Sequence, residues 1–283
     1  MKIGLVLAGG MAKGAYEMGA LKAINEYIKP SEMTSISCSS IGVLNGYSYA
    51  ANKLDEADKM WHSICRSGKK IFVNTVLRSS FLQQSITDMG SEKDIIYSDF
   101  YISLLNFRQR TLSYNNLKTV DPELYQDYLR ASVAMPIYNR AVNINGHSYY
   151  DGAMVDNIPV YPLLEKDLDY IIVVYFDNVS YIFENMAFDK KVLKIIYPTK
   201  QTIMDSFTFE ENAINMMMSR GYDVACRLLD PIFDKDMQTK DEVYDYIKQV
   251  NKRYGNKEVR VTGDMLVTNI NRVVNKLAKR KIK

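Results

Sequence analysis

The sequence predicts an α/β fold on a parallel sheet with crossover helices, followed by a helical C-terminal extension. Three observations predict it. Strand and helix patterns alternate over the first 64 residues, in the order strand, loop, helix, strand, helix. Two apolar runs, at 169–176 and 192–197, read as further buried strands. From residue 210 onward the hydrophobic period turns helical.

The elements follow in order. Residues 3–8 predict a buried strand and 9–14 a loop. Residues 15–28 predict a helix with Met18, Leu21, Ile24 and Ile28 at helical spacing, stopped by Pro30. A second strand spans 33–39, and a longer helical stretch spans 42–64. The region 72–128 is mixed and rich in Tyr, Ser and Asn, with strand-like pieces such as 111–114. Segments 142–144 and 147–150 flank Asn145-Gly146, a hairpin signal because that turn needs positive φ. Helices are predicted at 210–229 and 242–254. A last helix, 265–279, sets Leu266, Ile270, Val273, Val274 and Leu277 on one face. With no internal repeat or long linker, the expected division is 1–229 as the main α/β domain. Residues 230–283, after the Asp230-Pro231 break, form the extension packed on it.

Composition narrows the function classes. A chain of 283 residues with 47% hydrophobic and 24% charged residues buries a substantial core. The net charge of +3 is too small to imply nucleic acid. Cys38, Cys65 and Cys226 lack metal-ligand spacing and read as reduced thiols of a cytosolic protein. The opening apolar run is short and meets Gly9-Gly10, so it reads as a strand rather than a secretory signal. The longest apolar run, 170–176, is far below the ~18 residues of a membrane span.

Chemistry concentrates in three places. The loop Gly9-Gly10-Met11-Ala12-Lys13-Gly14 joins the first strand to the first helix, where glycines turn N–H groups toward one point. A phosphate loop needs Lys then Ser or Thr after its last glycine, but Ala15 and Tyr16 follow Gly14. The second strand ends in serines rather than an acid, which removes the dinucleotide reading. An oxyanion hole and an ordinary glycine turn both remain. Ser40 lies on a small-residue corner, Cys38-Ser39-Ser40-Ile41-Gly42, between strand and helix. It reads either as a nucleophile on a strained elbow or as a helix N-cap.

For the proton acceptor, His62 and His147 are the two histidines. His62 reads as a helix-face residue, and an extended strand would hold His147 ~13 Å from Asp151. A carboxylate is the remaining choice: Asp151 in Asp151-Gly152-Ala153, or its rival Asp156. Asp-Gly is also a common turn pair.

On these residues the chain resembles the patatin-like phospholipase family, over roughly 1–225. The family's glycine loop is matched at Gly9-Gly10-Met11-Ala12-Lys13-Gly14, with Met for the third glycine. Its elbow is matched at Cys38-Ser39-Ser40-Ile41-Gly42-Val43-Leu44-Asn45, with Cys for the first glycine. Ala131-Ser132-Val133-Ala134-Met135-Pro136, Asp151-Gly152-Ala153 and Asn157-Ile158-Pro159 complete the ordered set. The resemblance implies a three-layer α/β sandwich with a mainly parallel core and a Ser–Asp dyad without catalytic histidine. It implies hydrolysis of acyl esters of lipids, with no metal or organic cofactor. Carried over by position, Ser40 is the nucleophile, Asp151 the base, and Gly9, Gly10 and Met11 the oxyanion loop. Lys13 adds nearby charge, while Gly42 and Gly152 support the geometry.

A lipid or acyl-ester substrate needs an apolar groove, for which 15 Met and 21 Tyr supply material, densest at Met216-Met217-Met218. The stretch 271–283 carries Arg272, Lys276, Lys279, Arg280, Lys281 and Lys283 without an acid. It reads as a docked helix with a solvated basic end, or as a transient contact with a membrane surface. The expected location is cytoplasmic, peripheral to membrane at most. An inactive acyl-binding scaffold and an acyltransferase remain as alternatives to the hydrolase.

Overall fold

The computed structural model describes residues 1–283 except 65–69, 137, 177–178, 184–185, 198–206, 236–238, 255–257 and 281–283. Cys65, Lys281, Lys283 and the side chains of Leu277, Lys279 and Arg280 therefore lie outside the described residues. The strands are β1 (Ile3–Leu7), β2 (Met33–Cys38), β3 (Ile71–Phe72), β4 (Asp99–Asn106), β5 (Thr111–Asn116), β6 (Val142–Ile144), β7 (His147–Asp151), β8 (Tyr170–Tyr175), β9 (Ser180–Phe183), β10 (Val192–Ile196), β11 (Thr208–Phe209) and β12 (Glu258–Val261). The helices are α1 (Gly14–Tyr27), α2 (Ile41–Ala50), α3 (Leu54–Ile64), α4 (Val73–Arg78), α5 (Ser80–Met89), α6 (Tyr125–Ser132), α7 (Tyr161–Leu164), α8 (Met186–Asp189), α9 (Glu211–Asp230), α10 (Lys240–Asn251) and α11 (Gly263–Arg280).

These elements make an α/β fold around a mixed, mostly parallel sheet. Its order is β10-β8-β1-β2-β4-β7-β6, with β5 also on β4. The five strands from β10 to β4 run parallel, whereas β5, β6 and β7 are antiparallel. β1 is fully buried between β2 and β8, which is why it reads as an unbroken apolar run. The chain leaves β1 for β2 on one side, and later places β8 on the other. Their carboxyl ends thus flank a topological switch point, the place where such sheets bind ligands. Gly19 and Gly221 let α1 and α9 approach closely: a Cβ on Gly221 would sit 1.9 Å from the Tyr16 carbonyl oxygen.

Four expectations change. The stretch 42–64 is two helices, α2 and α3, because Asn52 takes φ 56 and the Lys53 N–H turns back to the Ser48 carbonyl. β4, eight residues long and central to the sheet, lies within the region 72–128 and has no clear period in its mixed sequence. Asp230-Pro231 does not break the chain path, since a π-helical turn at Pro231–Lys235 continues α9. Finally, the extension is not purely helical. β12 pairs in parallel with β9, and α10 adds Val243, Ile247 and Val250 to the core. Asn251 clamps the edge strand, donating to the Val192 carbonyl at 2.7 Å and accepting from the Lys194 N–H at 3.2 Å. Among the described residues no helix is long and apolar enough to cross a membrane.

Candidate active site

Ser40 follows β2 on a corner closed by main-chain bonds. The Ser39 N–H donates to Leu7 at 3.1 Å, Gly42 to Ser39 at 3.0 Å and Val43 to Ser40 at 2.9 Å. Ser40 itself takes φ 53 and ψ −132, a conformation that costs of order 1–3 kcal/mol for a residue with a side chain. Its side chain makes no cap bond to α2, so the N-cap reading does not hold. Instead the side chain lines the same pocket as Asp151 and lies close enough to oppose the rise in that carboxyl's pKa. Gly42 is required by close approach, as a Cβ there would lie 2.8 Å from the Leu7 carbonyl oxygen.

Cys38, standing where the elbow pattern has glycine, is fully buried with a free thiol. Its room comes from α2: a Cβ on Gly46 would fall 2.6 Å from the Cys38 Sγ. The missing side chain has moved across the interface rather than been lost. Gly46→Ala is therefore expected to destabilise the protein by about 1–3 kcal/mol. The pair Cys38→Ala with Gly46→Ala should recover most of that loss in a thermal-melt double-mutant cycle.

Strand register brings Asp151 to Ser40. Cys38 pairs with Ile102 on β4, and two residues further Leu104 pairs with Asp151 on β7. The serine corner and the carboxylate thus stand level on either side of β4, ~10 Å apart along the backbone. Both side chains face the same pocket. Asp151 is 2% exposed, and its Oδ1 accepts the Ala153 N–H at 2.9 Å. Burial pushes its pKa up to about 7, against the opposing bonds from Ser40 and Ala153. Gly152 lets the following turn press on β4, since a Cβ there would be 2.5 Å from Ser103 backbone.

The glycine loop is only partly available as an anion cradle. The Gly9 N–H is taken by the Asn157 carbonyl at 3.2 Å, so Gly9 shapes the loop but does not donate. A Cβ at Gly9 would meet the Asn157 Oδ1 at 2.5 Å and the Ser40 Cβ at 2.8 Å. Gly10 and Met11 keep N–H groups without a hydrogen-bond partner among the described residues. Met11 holds φ 52, so its side chain is tolerated in the left-handed conformation that a glycine would take freely. The Ile41 N–H, first in α2 and next to Ser40, is a further donor that the sequence reading missed. Lys13 closes the turn by donating its N–H to Gly10 at 3.1 Å, and its side chain does not line the pocket over Ser40.

That pocket holds about 270 Å³ and brings together Gly9, Gly10, Met11, Ser40 and Asp151. Its apolar wall is Met135, Met154 and Phe207, residues that no motif except Met135 singled out. The Met216-Met218 patch is not part of it: Met217 and Met218 are core, and Met216 is exposed. Asp156 is buried with its pKa also raised to about 7 by burial, but its carboxylate accepts from the Tyr114 hydroxyl at 2.5 Å. It does not line the pocket over Ser40. His62 is exposed on α3 beside Asp58, and His147 lies at the start of β7 against Tyr149; neither lines the pocket. His62→Ala and His147→Ala are expected to keep ester hydrolysis within about threefold of wild type, measured as kcat/KM. Among the described residues no three His, Cys, Asp or Glu side chains converge on a metal position.

Over 182 residues the chain is 29% identical to Lysophospholipase NTE1 of Cryptococcus neoformans var. neoformans serotype D. That alignment covers 61% of this chain and 11% of the relative, so the chain spans about a tenth of the curated relatives it matches. Among solved structures, VipD from Legionella pneumophila aligns at TM-score 0.48 and 12% identity, over 89% of this chain and 74% of that one. The ExoU–SpcU complex of Pseudomonas aeruginosa aligns at TM-score 0.42 and 13% identity, over 89% and 58%. The description that matches a family profile is patatin-like phospholipase, over residues 5–164, a span that runs from β1 through α7 and contains the glycine loop, the elbow and Asp151. The chain belongs to the patatin-like phospholipase family.

Proposed function

We propose that this protein is a lipid acyl hydrolase of the lysophospholipase or phospholipase A type, using Ser40 as nucleophile and Asp151 as general base. One observation carries the reading: a serine held at positive φ shares a pocket with a buried carboxyl whose pKa is pushed up to about 7. A carboxylate at its usual value is a weak base, and burial raises its proton affinity into the working range.

In the proposed reaction the Ser40 Oγ attacks the ester carbonyl carbon while Asp151 takes the hydroxyl proton. The carbonyl oxygen becomes an oxyanion, received by the N–H groups of Gly10 and Met11, with Ile41 at the helix start. As the C–O bond breaks, Asp151 returns the proton to the departing alcohol, leaving an acyl ester on Ser40. Water then attacks that ester, gives its proton to Asp151, and the acid is released as Ser40 is reprotonated. Residues 1–229 carry this chemistry, and 230–283 buttress the sheet edge. The setting is cytoplasmic, where the free thiols of Cys38 and Cys226 persist, with substrate met at a membrane surface.

Incubation with a lysophospholipid panel, read by mass spectrometry with and without an alcohol acceptor, tests the assignment. Release of free fatty acid supports hydrolysis. Acyl transfer to the acceptor alone would make the protein an acyltransferase, and no turnover by folded protein would make it a scaffold.

A further inference from the structure

Asp156 is a buried acid that the proposed reaction leaves unused. It is 5% exposed, and burial raises its pKa to about 7, while the Tyr114 hydroxyl and the Ile158 main chain work against that rise. Its carboxylate accepts from the Tyr114 hydroxyl at 2.5 Å, the length of a charge-assisted hydrogen bond. Three main-chain bonds leave residues 156 and 157, one to each part of the candidate site. The Asp156 carbonyl accepts the Ser39 hydroxyl at 3.0 Å, one residue before the nucleophile. The Asp156 N–H donates to the Gly152 carbonyl at 3.0 Å, one residue after the base. The Asn157 carbonyl takes the Gly9 N–H at 3.2 Å, just ahead of the Gly10 and Met11 donors.

The side chain of Asp156 anchors these bonds to the sheet. Tyr114 stands on β5 in register with Ser103 of β4. Ser39 uses its one hydroxyl proton on the Asp156 carbonyl, so the Ser103 hydroxyl is the donor in their 2.8 Å contact. The contacts close a ring: Asp156 to Tyr114, across the β5–β4 ladder to Ser103, on to Ser39, and back to Asp156. The loop after β7 is thereby fixed to paired strands rather than left to its own main chain. A misplacement of ~1 Å among reacting groups costs up to ~10²-fold in rate, so a tie of this kind bears on turnover without touching substrate.

We propose that Asp156, held by Tyr114, is a positioning residue that fixes Ser40, Asp151 and the Gly10 and Met11 amides relative to one another. The assignment rests on the acyl-hydrolase reading, so it is tested by turnover and by a measurement that needs none. Asp156→Ala is expected to lower kcat for p-nitrophenyl butyrate at least tenfold with KM within twofold, and to slow fluorophosphonate labelling of Ser40 by a similar factor. Tyr114→Phe, which removes only the hydroxyl, should lower kcat at least threefold, and it carries the test if the alanine variant does not fold. Asp156→Asn should bring kcat back to within threefold of wild type, because an amide still bonds the Tyr114 oxygen. Hydrogen exchange at the Gly9 amide, followed by NMR, should accelerate at least tenfold in Asp156→Ala and Tyr114→Phe. A lowered melting temperature with kcat unchanged in the folded variants would reduce the pair to a structural role and overturn the assignment. An asparagine variant as inactive as the alanine variant would make Asp156 a base and overturn it equally. If wild type neither hydrolyses esters nor takes up the probe, the catalytic reading fails, and Gly9 exchange alone decides the tie: acceleration supports it and unchanged exchange refutes it.

Discussion

Asp151→Asn is expected to cut ester turnover by about 10³–10⁴-fold while making the folded protein more stable at alkaline pH. The amide keeps an oxygen for the Ala153 N–H but cannot take the proton from Ser40, so the loss falls on kcat. The stability gain follows from the same burial. Asp151 has its folded pKa raised from 3.8 to about 7, so between those values the native state holds a proton that the unfolded chain has released. Stability contributed by the protonated acid is fully present below pH ~4 and declines as pH rises to about 7. At ~1.4 kcal/mol per pKa unit, the cost above pH 7 is of order 4 kcal/mol, which an uncharged asparagine avoids. Melting curves should therefore show the variant several degrees above wild type at pH 8, and the two together at pH 4. In wild type, kcat/KM should climb with pH and level off above about pH 7, as the base ionises. A flat profile from pH 5 to 9 would remove Asp151 from the role of base.

Ser40→Ala carries the other large effect. Without the hydroxyl no acyl-enzyme forms, and hydrolysis is expected to fall at least 10³-fold, the residue of activity coming from oxyanion donors and substrate binding alone. Alanine keeps the same left-handed backbone demand at φ 53, so the melting temperature should change little. That separation matters: an inactive and unfolded variant would say nothing about chemistry. Ser39, its neighbour, has a different task. Its hydroxyl is buried between the Ser103 hydroxyl at 2.8 Å and the Asp156 carbonyl at 3.0 Å, so Ser39→Ala should cost stability first.

Much of the candidate site is legible in the sequence, because each of its parts obeys a local rule. The corner at Ser40 needs small neighbours, the loop at Gly9-Gly10 needs glycine, and Asn145-Gly146 turns the hairpin that ends on Asp151. What stayed hidden depends on partners far along the chain. The accommodation of Cys38 by Gly46 lies across a strand–helix interface. The capture of the Gly9 N–H by Asn157 joins residues ~150 positions apart. The role of Asp156 is set by Tyr114 on another strand, so sequence left it a rival base. β4 escaped for a related reason. It is buried by neighbours on both sides, so its Asp, Tyr, Ser and Asn interrupt any period that one face alone would impose. The apolar wall over Ser40 is assembled from Met135, Met154 and Phe207, residues of three separate segments.

The most direct measurement is covalent. Wild-type protein at pH 8 is treated with a fluorophosphonate probe, digested, and the adduct mapped by mass spectrometry. A single adduct on Ser40, absent from Ser40→Ala and strongly slowed in Asp151→Asn, is the outcome expected if a serine activated by that carboxylate performs acyl transfer. Folded wild-type protein that takes up no probe, or takes it up on a different residue, contradicts the assignment.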